Sequence, residues 1–213
     1  IDAQGNLVGI VADYLNLPEG KLGIRFKILP VSSWDVAGRK AGESVGDGGG
    51  GGRGSVERSK YMLFTSPHIE LPGVIIVQNK SSDISGLAQM RGKKVGVVSN
   101  YVWQEWMTRD YPGINLQPVR DMQTGLLLVS FGQLDAMVGN VATASHFIEK
   151  LGMPNLRVGA DTGYFARLAI GTRSDWPHLN AILQKAVSTI KPQQRHEIIN
   201  RWIKLGSPRS TDR

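Results

Sequence analysis

Cysteine is absent from the 213 residues. That excludes disulfides, thiol chemistry and cysteine-ligated zinc, and it is compatible with either the cytoplasm or the periplasm. No apolar run approaches the roughly 18–20 residues needed to cross a bilayer, and no signal peptide is visible. The four histidines, His68, His146, His178 and His196, are far apart in sequence. None has a partner at i+4 or a nearby acid at ligand spacing, so no metal site follows from them. Phosphate loops, dinucleotide fingerprints, zincin motifs and GxSxG elbows are also missing. Neither a catalytic constellation nor a cofactor is therefore expected.

What is present is ordinary for a folded soluble domain. Hydrophobic residues make up 41% and charged residues 20%, which argues against disorder. The net charge of +7 comes from Lys and Arg scattered in ones and twos, as in Arg91-Gly92-Lys93-Lys94. A nucleic-acid surface would gather them into one patch with aromatics between, so the charge reads as a solvated basic surface with no nucleic-acid partner.

From Ile69 onward the pattern alternates regularly. Strands are expected at Leu71–Gln78, Lys93–Val98, Asn115–Val119, Leu134–Val138, Leu156–Val158 and Leu168–Thr172. Helices are expected at Tyr101–Asp110, Met122–Phe131, Val141–Leu151, Pro177–Ile190 and Gln193–Ile203. In the helix from Pro177, residues Leu179, Ile182, Leu183, Ala186, Val187 and Ile190 fall on one face, with Asp175 or Trp176 at the cap and a tolerated first-turn proline. Strands alternating with helices predict an α/β fold built on largely parallel sheets. The exception is Gly48–Gly52, five consecutive glycines that offer no side chain to a core and lose the most backbone freedom on folding.

Two segments nominate a small-molecule site. Arg58 lies just before an apolar segment, and a guanidinium there could hold a carboxylate in a bidentate fork. Ser99-Asn100-Tyr101 follows a buried strand and opens a helix. Free backbone N–H groups, a favourable dipole and a hydroxyl make that turn a candidate anion site.

Together the motifs resemble a known family. DAQGNLVGIVADYL (2–15), LGIRFKILPVSSWD (22–35), VERSKYMLFTSP (56–67), MRGKKVGVVSNY (90–101), GQLDAMVGNVATAS (132–145) and LAIGTRSDWPHLNAIL (168–183) are similar to the type 2 periplasmic solute-binding fold, the Venus-flytrap module. The input domains of bacterial hybrid sensor histidine kinases are resembled more closely than the polar amino-acid binding proteins of ABC transporters. The resemblance implies an α/β fold of two lobes with a ligand cleft and two hinge crossovers. Residues 1–79 with 168–213 would form one lobe and 80–167 the other, with hinges near Gln78-Asn79-Lys80 and Arg167-Leu168.

By the same resemblance, Arg58, with Ser55 close before it, would bind a ligand carboxylate, completed by Ser99 and Asn100. Asp161 would take the ligand ammonium, Asn140 would line the cleft, and Trp34 and Tyr101 would be wall residues. The implied partners are an amino acid or other small carboxylate, and a membrane-anchored kinase in cis or an ABC permease. The implied location is periplasmic, with any signal peptide or anchor outside these residues. An enzyme of the dehydratase type on the same fold is a third reading. Four features depart from the family. Its first strand lies before residue 1, His68 stands where Tyr is common, Pro18 and Gly20 interrupt a helix, and Gly48–Gly52 replace an apolar strand. Because the spacing from Asp47 to Glu57 is preserved, the glycine tract is expected to follow an ordinary strand path.

Overall fold

The computed structural model describes residues 7–27, 29, 48–52 and 58–203, the glycine tract and Arg58 by their backbone alone. It divides into two compact units. One lies within residues 1–70 and 167–201, the other within 71–166 and 202–213.

The second unit is built on a sheet whose strands are β3 (Ile69–Gln78), β4 (Lys94–Val98), β5 (Asn115–Val119), β6 (Ala136–Asn140) and the first part of β7 (Leu156–Arg173). Their order is β7-β3-β6-β4-β5. β4 runs parallel to both β5 and β6, while β3 is antiparallel to β6. Helices α2 (Val102–Asp110), α3 (Met122–Ser130) and α4 (Val141–Lys150) follow β4, β5 and β6 in turn. The strands β3, β4 and β6 are buried almost throughout. That is why they read as continuous apolar runs rather than as alternating ones. Val74, Ile76, Val98, Leu126, Val129, Met137, Ala144 and Ile148 belong to one core cluster.

The first unit holds α1 (Ile10–Leu22), β1 (Gly48–Gly52), β2 (Met62–Phe64), the end of β7, α5 (Pro177–Ser188) and α6 (Pro192–Trp202). Leu15 of α1, Ile170 of β7, and Leu183 and Val187 of α5 make its core cluster. Pro18 and Gly20 do not interrupt α1, which runs to Leu22 and stops at Gly23 in the left-handed conformation. Pro18 forfeits one hydrogen bond, to the Tyr14 carbonyl, but Tyr14, Leu15 and Pro18 itself are all buried, and that burial outweighs the loss. On α5 the apolar face is narrower than its periodicity suggests, because Ile182 is 49% exposed.

The glycine tract does take a strand path. β1 pairs antiparallel with β7, Gly48 opposite Thr172 and Gly52 opposite Ala169, with a register shift between Gly49 and Gly52. β2 pairs with the same stretch of β7, Phe64 opposite Gly171. Each glycine in an extended path costs about 0.5–1 kcal/mol relative to alanine. Replacing the alternate set Gly49 and Gly51, or the set Gly48, Gly50 and Gly52, by alanine should therefore raise the thermal midpoint. If neither set raises it, β1 is not an ordered strand in solution.

Two expectations are corrected. The strands anticipated at Leu156–Val158 and Leu168–Thr172 are parts of the single strand β7, which passes from one unit to the other between Ala166 and Arg167. The first crossing lies between Glu70 and Leu71, not at Gln78–Lys80, so residues 71–79 belong to the second unit. Long-range pairing is the reason. Val74 and Ile75 lie opposite Gly139 and Val138 of β6, and β6 pairs in turn with Val95 of β4. The side chain of Gln78 donates to the carbonyls of Val129 (2.8 Å) and Ser130 (3.0 Å), and the Asn79 amide donates to the Asn155 carbonyl at 2.8 Å. Val74–Val77 and Val95–Val98 thus share one sheet, which rules out the lobe boundary expected from the sequence.

Candidate ligand-binding edge

In the second unit the parallel strands β4, β5 and β6 all end on one edge of the sheet, where α2, α3 and α4 begin. Three helix N-termini there favour negative charge, and strand carboxyl ends are where α/β sheets collect ligands. Ser99, Asn100 and Tyr101 lie at the end of β4, and Asn140 ends β6. Asn140 is opposite Gly73 of β3. The Gly73 carbonyl accepts from the Thr162 hydroxyl at 3.0 Å, which ties the neighbouring Asp161 of β7 to the same edge. Asp161 is exposed. Three of the nominated segments, Ser99–Tyr101, Asn140 and Asp161, are thereby brought together. Trp34 and Ser55 lie outside the described residues. Arg58, described by its backbone alone, opens the short turn Arg58–Lys60 in the first unit.

The turn after β4 differs from its expected form, because its backbone donors are not free. The Ser99 amide donates to the Val119 carbonyl at 2.9 Å, and the Tyr101 amide to the Val98 carbonyl at 3.2 Å. The Asn100 amide donates to Oε1 of Gln104 at 2.8 Å. The Ser99 hydroxyl also donates to the Val119 carbonyl, at 3.2 Å, and keeps acceptor capacity only. Asn100 adopts φ 60°, a left-handed conformation that asparagine tolerates better than most residues. Tyr101 caps α2 and is 38% exposed. Burial first, and then the Asp121 carboxylate, push its phenol above the ordinary value.

The two neighbouring helices are capped from within. The Thr143 amide donates to Oδ1 of Asn140 at 2.8 Å, and the Thr124 amide to Oδ1 of Asp121 at 2.8 Å. Each cap satisfies an orphan donor of its helix. Burial acts to raise the Asp121 carboxyl, but the Thr124 backbone and hydroxyl and the Arg120 guanidinium outweigh it, so the group lies below the ordinary carboxylate range.

Residues the sequence did not nominate fix the shape of this edge. The Trp103 ring from the first turn of α2, only 2% exposed, covers Gly73. A Cβ on Gly73 would stand 2.4 Å from that ring and 2.4 Å from the Thr162 hydroxyl. Trp103 meets Trp106 edge-on at 5.2 Å, and Trp106 stacks on Tyr164 of β7 at 5.0 Å. The Tyr164 hydroxyl donates to Asp110, which also takes the Arg109 fork at 2.6 and 2.7 Å. The Arg109 hydrogen bond, followed by that of Tyr164, holds the Asp110 carboxyl down to about 2. The Asp110 bond is also the main reason the Tyr164 phenol is pushed up to about 12. α2 is therefore held to β7 through Trp106 and Asp110, while Trp103 in its first turn covers β3. An isolated glycine inside LPGVIIVQ was the one signal of a close approach here. Gln104, three residues after the Tyr101 cap, matches capping-box spacing, although it reaches one residue further back.

Among the described residues no group of His, Asp and Glu could hold a metal ion, and no helix is long and apolar enough to cross a membrane. The fold is the periplasmic-binding-protein type II fold, and known proteins share it. The chain is similar to the virulence sensor protein BvgS of Bordetella pertussis, with 26% identity over 211 residues, covering 96% of this chain and 16% of that protein. It is 28% identical over 151 residues to the putative ABC transporter arginine-binding protein 2 of Escherichia coli, covering 68% of this chain and 61% of that protein. The crystal structure of the periplasmic VFT2 domain of Bordetella pertussis BvgS superposes with a TM-score of 0.82 at 25% identity, covering 91% of this chain and 83% of that one. The chain is thus a homologue of a periplasmic sensor domain and spans about a sixth of the length of the sensor protein. With the profile of the bacterial extracellular solute-binding proteins, family 3, matching residues 1–205, this chain belongs to that family.

Proposed function

We propose that this chain is a periplasmic ligand-binding module serving as the sensory input of a membrane-bound signalling protein such as a histidine kinase. It would take an amino acid or another small carboxylate and carry out no catalysis itself. The observation that carries the reading is the gathering of Ser99, Asn100, Tyr101, Asn140 and Asp161 on one strand edge of a solute-binding fold. Likeness to a sensor protein along 96% of the chain, against 68% for a transporter component, favours the sensor over delivery to an ABC permease. A reading frame that continues past Arg213 into a membrane-spanning helix would support the sensor, and one that stops there the transporter.

In this reading Arg58 takes the ligand carboxylate and Asp161 the ammonium, since a desolvated zwitterion needs a fixed charge of opposite sign at each end. Ser99 and Asn140 add polar contacts, and Tyr101 forms a wall. Ser55 and Trp34 belong to the same set. Leaving one charge of a buried pair without its partner costs about 2–5 kcal/mol, some 30-fold or more in affinity. Calorimetry with a panel of amino acids including L-arginine and L-glutamine should therefore show Arg58→Ala and Asp161→Ala binding at least that much more weakly than the wild type. Equal binding by both variants would reject the two assignments. Absence of any binding by the wild type would reject the amino-acid reading.

A further inference from the structure

The turn that opens α2 carries a feature the proposed binding role does not require. Gln104 is the third helical residue after the Tyr101 cap, and its side chain folds back so that Oε1 accepts from the Asn100 amide at 2.8 Å. A carboxamide oxygen there occupies the position that one oxygen of a ligand carboxylate would take on the same donor. The Ser99 and Tyr101 amides are bound to backbone carbonyls, part of the fold's own bonding, so no ligand can claim them without breaking it. The Asn100 bond is different, because its acceptor is a flexible side chain able to rotate away. Beyond it, the amides of Val102 and Trp103 meet no acceptor among the described residues, as expected for the first turn of a helix. The Asn100 amide on one side of the bonded Tyr101 amide, and those of Val102 and Trp103 on the other, are thus the three donors at the start of α2 that the backbone does not use, and Gln104 occupies one of them.

Resting on the reading of this edge as the binding site, we propose that Gln104 is an internal competitor for the ligand's anionic group, so that position 104 sets how tightly the site holds a carboxylate. A bound carboxylate would displace Oε1 from the Asn100 amide and gain the charge-assisted bond in its place. The displacement costs an existing hydrogen bond, and in its absence affinity rises. Removing the competitor should strengthen carboxylate binding by up to about tenfold, the net worth of the one neutral hydrogen bond that no longer has to be broken. Replacing it with a carboxylate should do the reverse, since Glu would hold the Asn100 amide more strongly and repel the incoming anion.

The test uses the whole chain, with L-arginine, L-glutamine and L-argininamide as probes, the last lacking a carboxylate. Titration calorimetry should give the affinity order Gln104→Ala, then wild type, then Gln104→Glu for the two amino acids, with no gain for L-argininamide in the alanine variant. Without ligand, amide exchange followed by NMR should show Asn100 protected in the wild type and faster in Gln104→Ala. Unchanged melting temperatures would show that the fold is intact. If the wild type binds an amino acid and Gln104→Ala binds it no more tightly, the competitor role is overturned while the binding role stands. An Asn100 amide that exchanges equally fast in both proteins overturns it too, whatever the affinities. If neither protein binds any probe, the binding reading fails and takes the competitor role with it.

Discussion

Lowering the pH from 7 to 4 is expected to cost the first unit about 3 kcal/mol through His68 alone. The ring is 2% exposed, and neither nitrogen has a hydrogen-bond partner among the described residues. It packs at 5.6 Å from the Tyr14 ring of α1, and the Arg195 guanidinium of α6 donates to the His68 carbonyl at 2.6 Å. Burial, and then the Arg195 charge, bring the imidazole down to about 4. In the unfolded chain it titrates near 6.5. As pH falls below about 6.5 the unfolded state takes up the proton first, so stability is lost progressively down to about 4 and no further below that. Chemical denaturation of wild type and His68→Phe between pH 7 and 4.5 isolates the effect, because the carboxylates common to both cancel. The variant should lose less stability with acid, and at pH 7 it should be about 1–3 kcal/mol more stable, having no buried unpaired nitrogen. Parallel pH profiles for the two proteins would show that His68 finds a polar partner in solution.

Gly73→Ala should destabilise the second unit by about 3 kcal/mol, the upper end of what overpacking costs. The added methyl would meet two groups with little room to yield. One is the Trp103 ring, locked by its edge contact with Trp106. The other is the Thr162 hydroxyl, which donates to the Gly73 carbonyl and accepts from the Tyr164 amide at 3.2 Å. Gly139→Ala is the control. Its Cβ would come 2.1 Å from Met122 Cε, the far end of a flexible side chain that can swing aside. Urea unfolding should place Gly73→Ala well below Gly139→Ala, with a changed near-ultraviolet dichroism from the displaced indole. Equal stability of the two variants would mean that Trp103 does not press on β3 as described.

The element pattern of the second unit was legible from residue 71 onward, because its strands are short apolar runs between polar helices and burial on both faces leaves that signature. Asp121 and Asn140 stand directly before their helices, where side-chain caps belong. The motifs also carried the family, since E-R-x-x-x-x-x-F-[ST]-x-P and D-A-x-V-G-N fall at family spacing in the chain. Hydrophobic periodicity says that a segment is buried and with what repeat, but not which strand lies beside it. Only the pairing of β3 with β6 put the first crossing at Glu70–Leu71, and only the partners on both sides of β7 made one strand of two expected ones. The exposed Ile182 on an otherwise buried face has the same origin, because the width of an apolar stripe is set by what packs on it. At the candidate site, residue type placed Ser99, Asn100 and Asn140 at strand ends. Whether their backbone donors remain available depends on where the Val119 carbonyl and the Gln104 side chain lie. Those positions follow from the parallel pairing of β4 with β5 and from the first turn of α2, tertiary facts that no local pattern encodes.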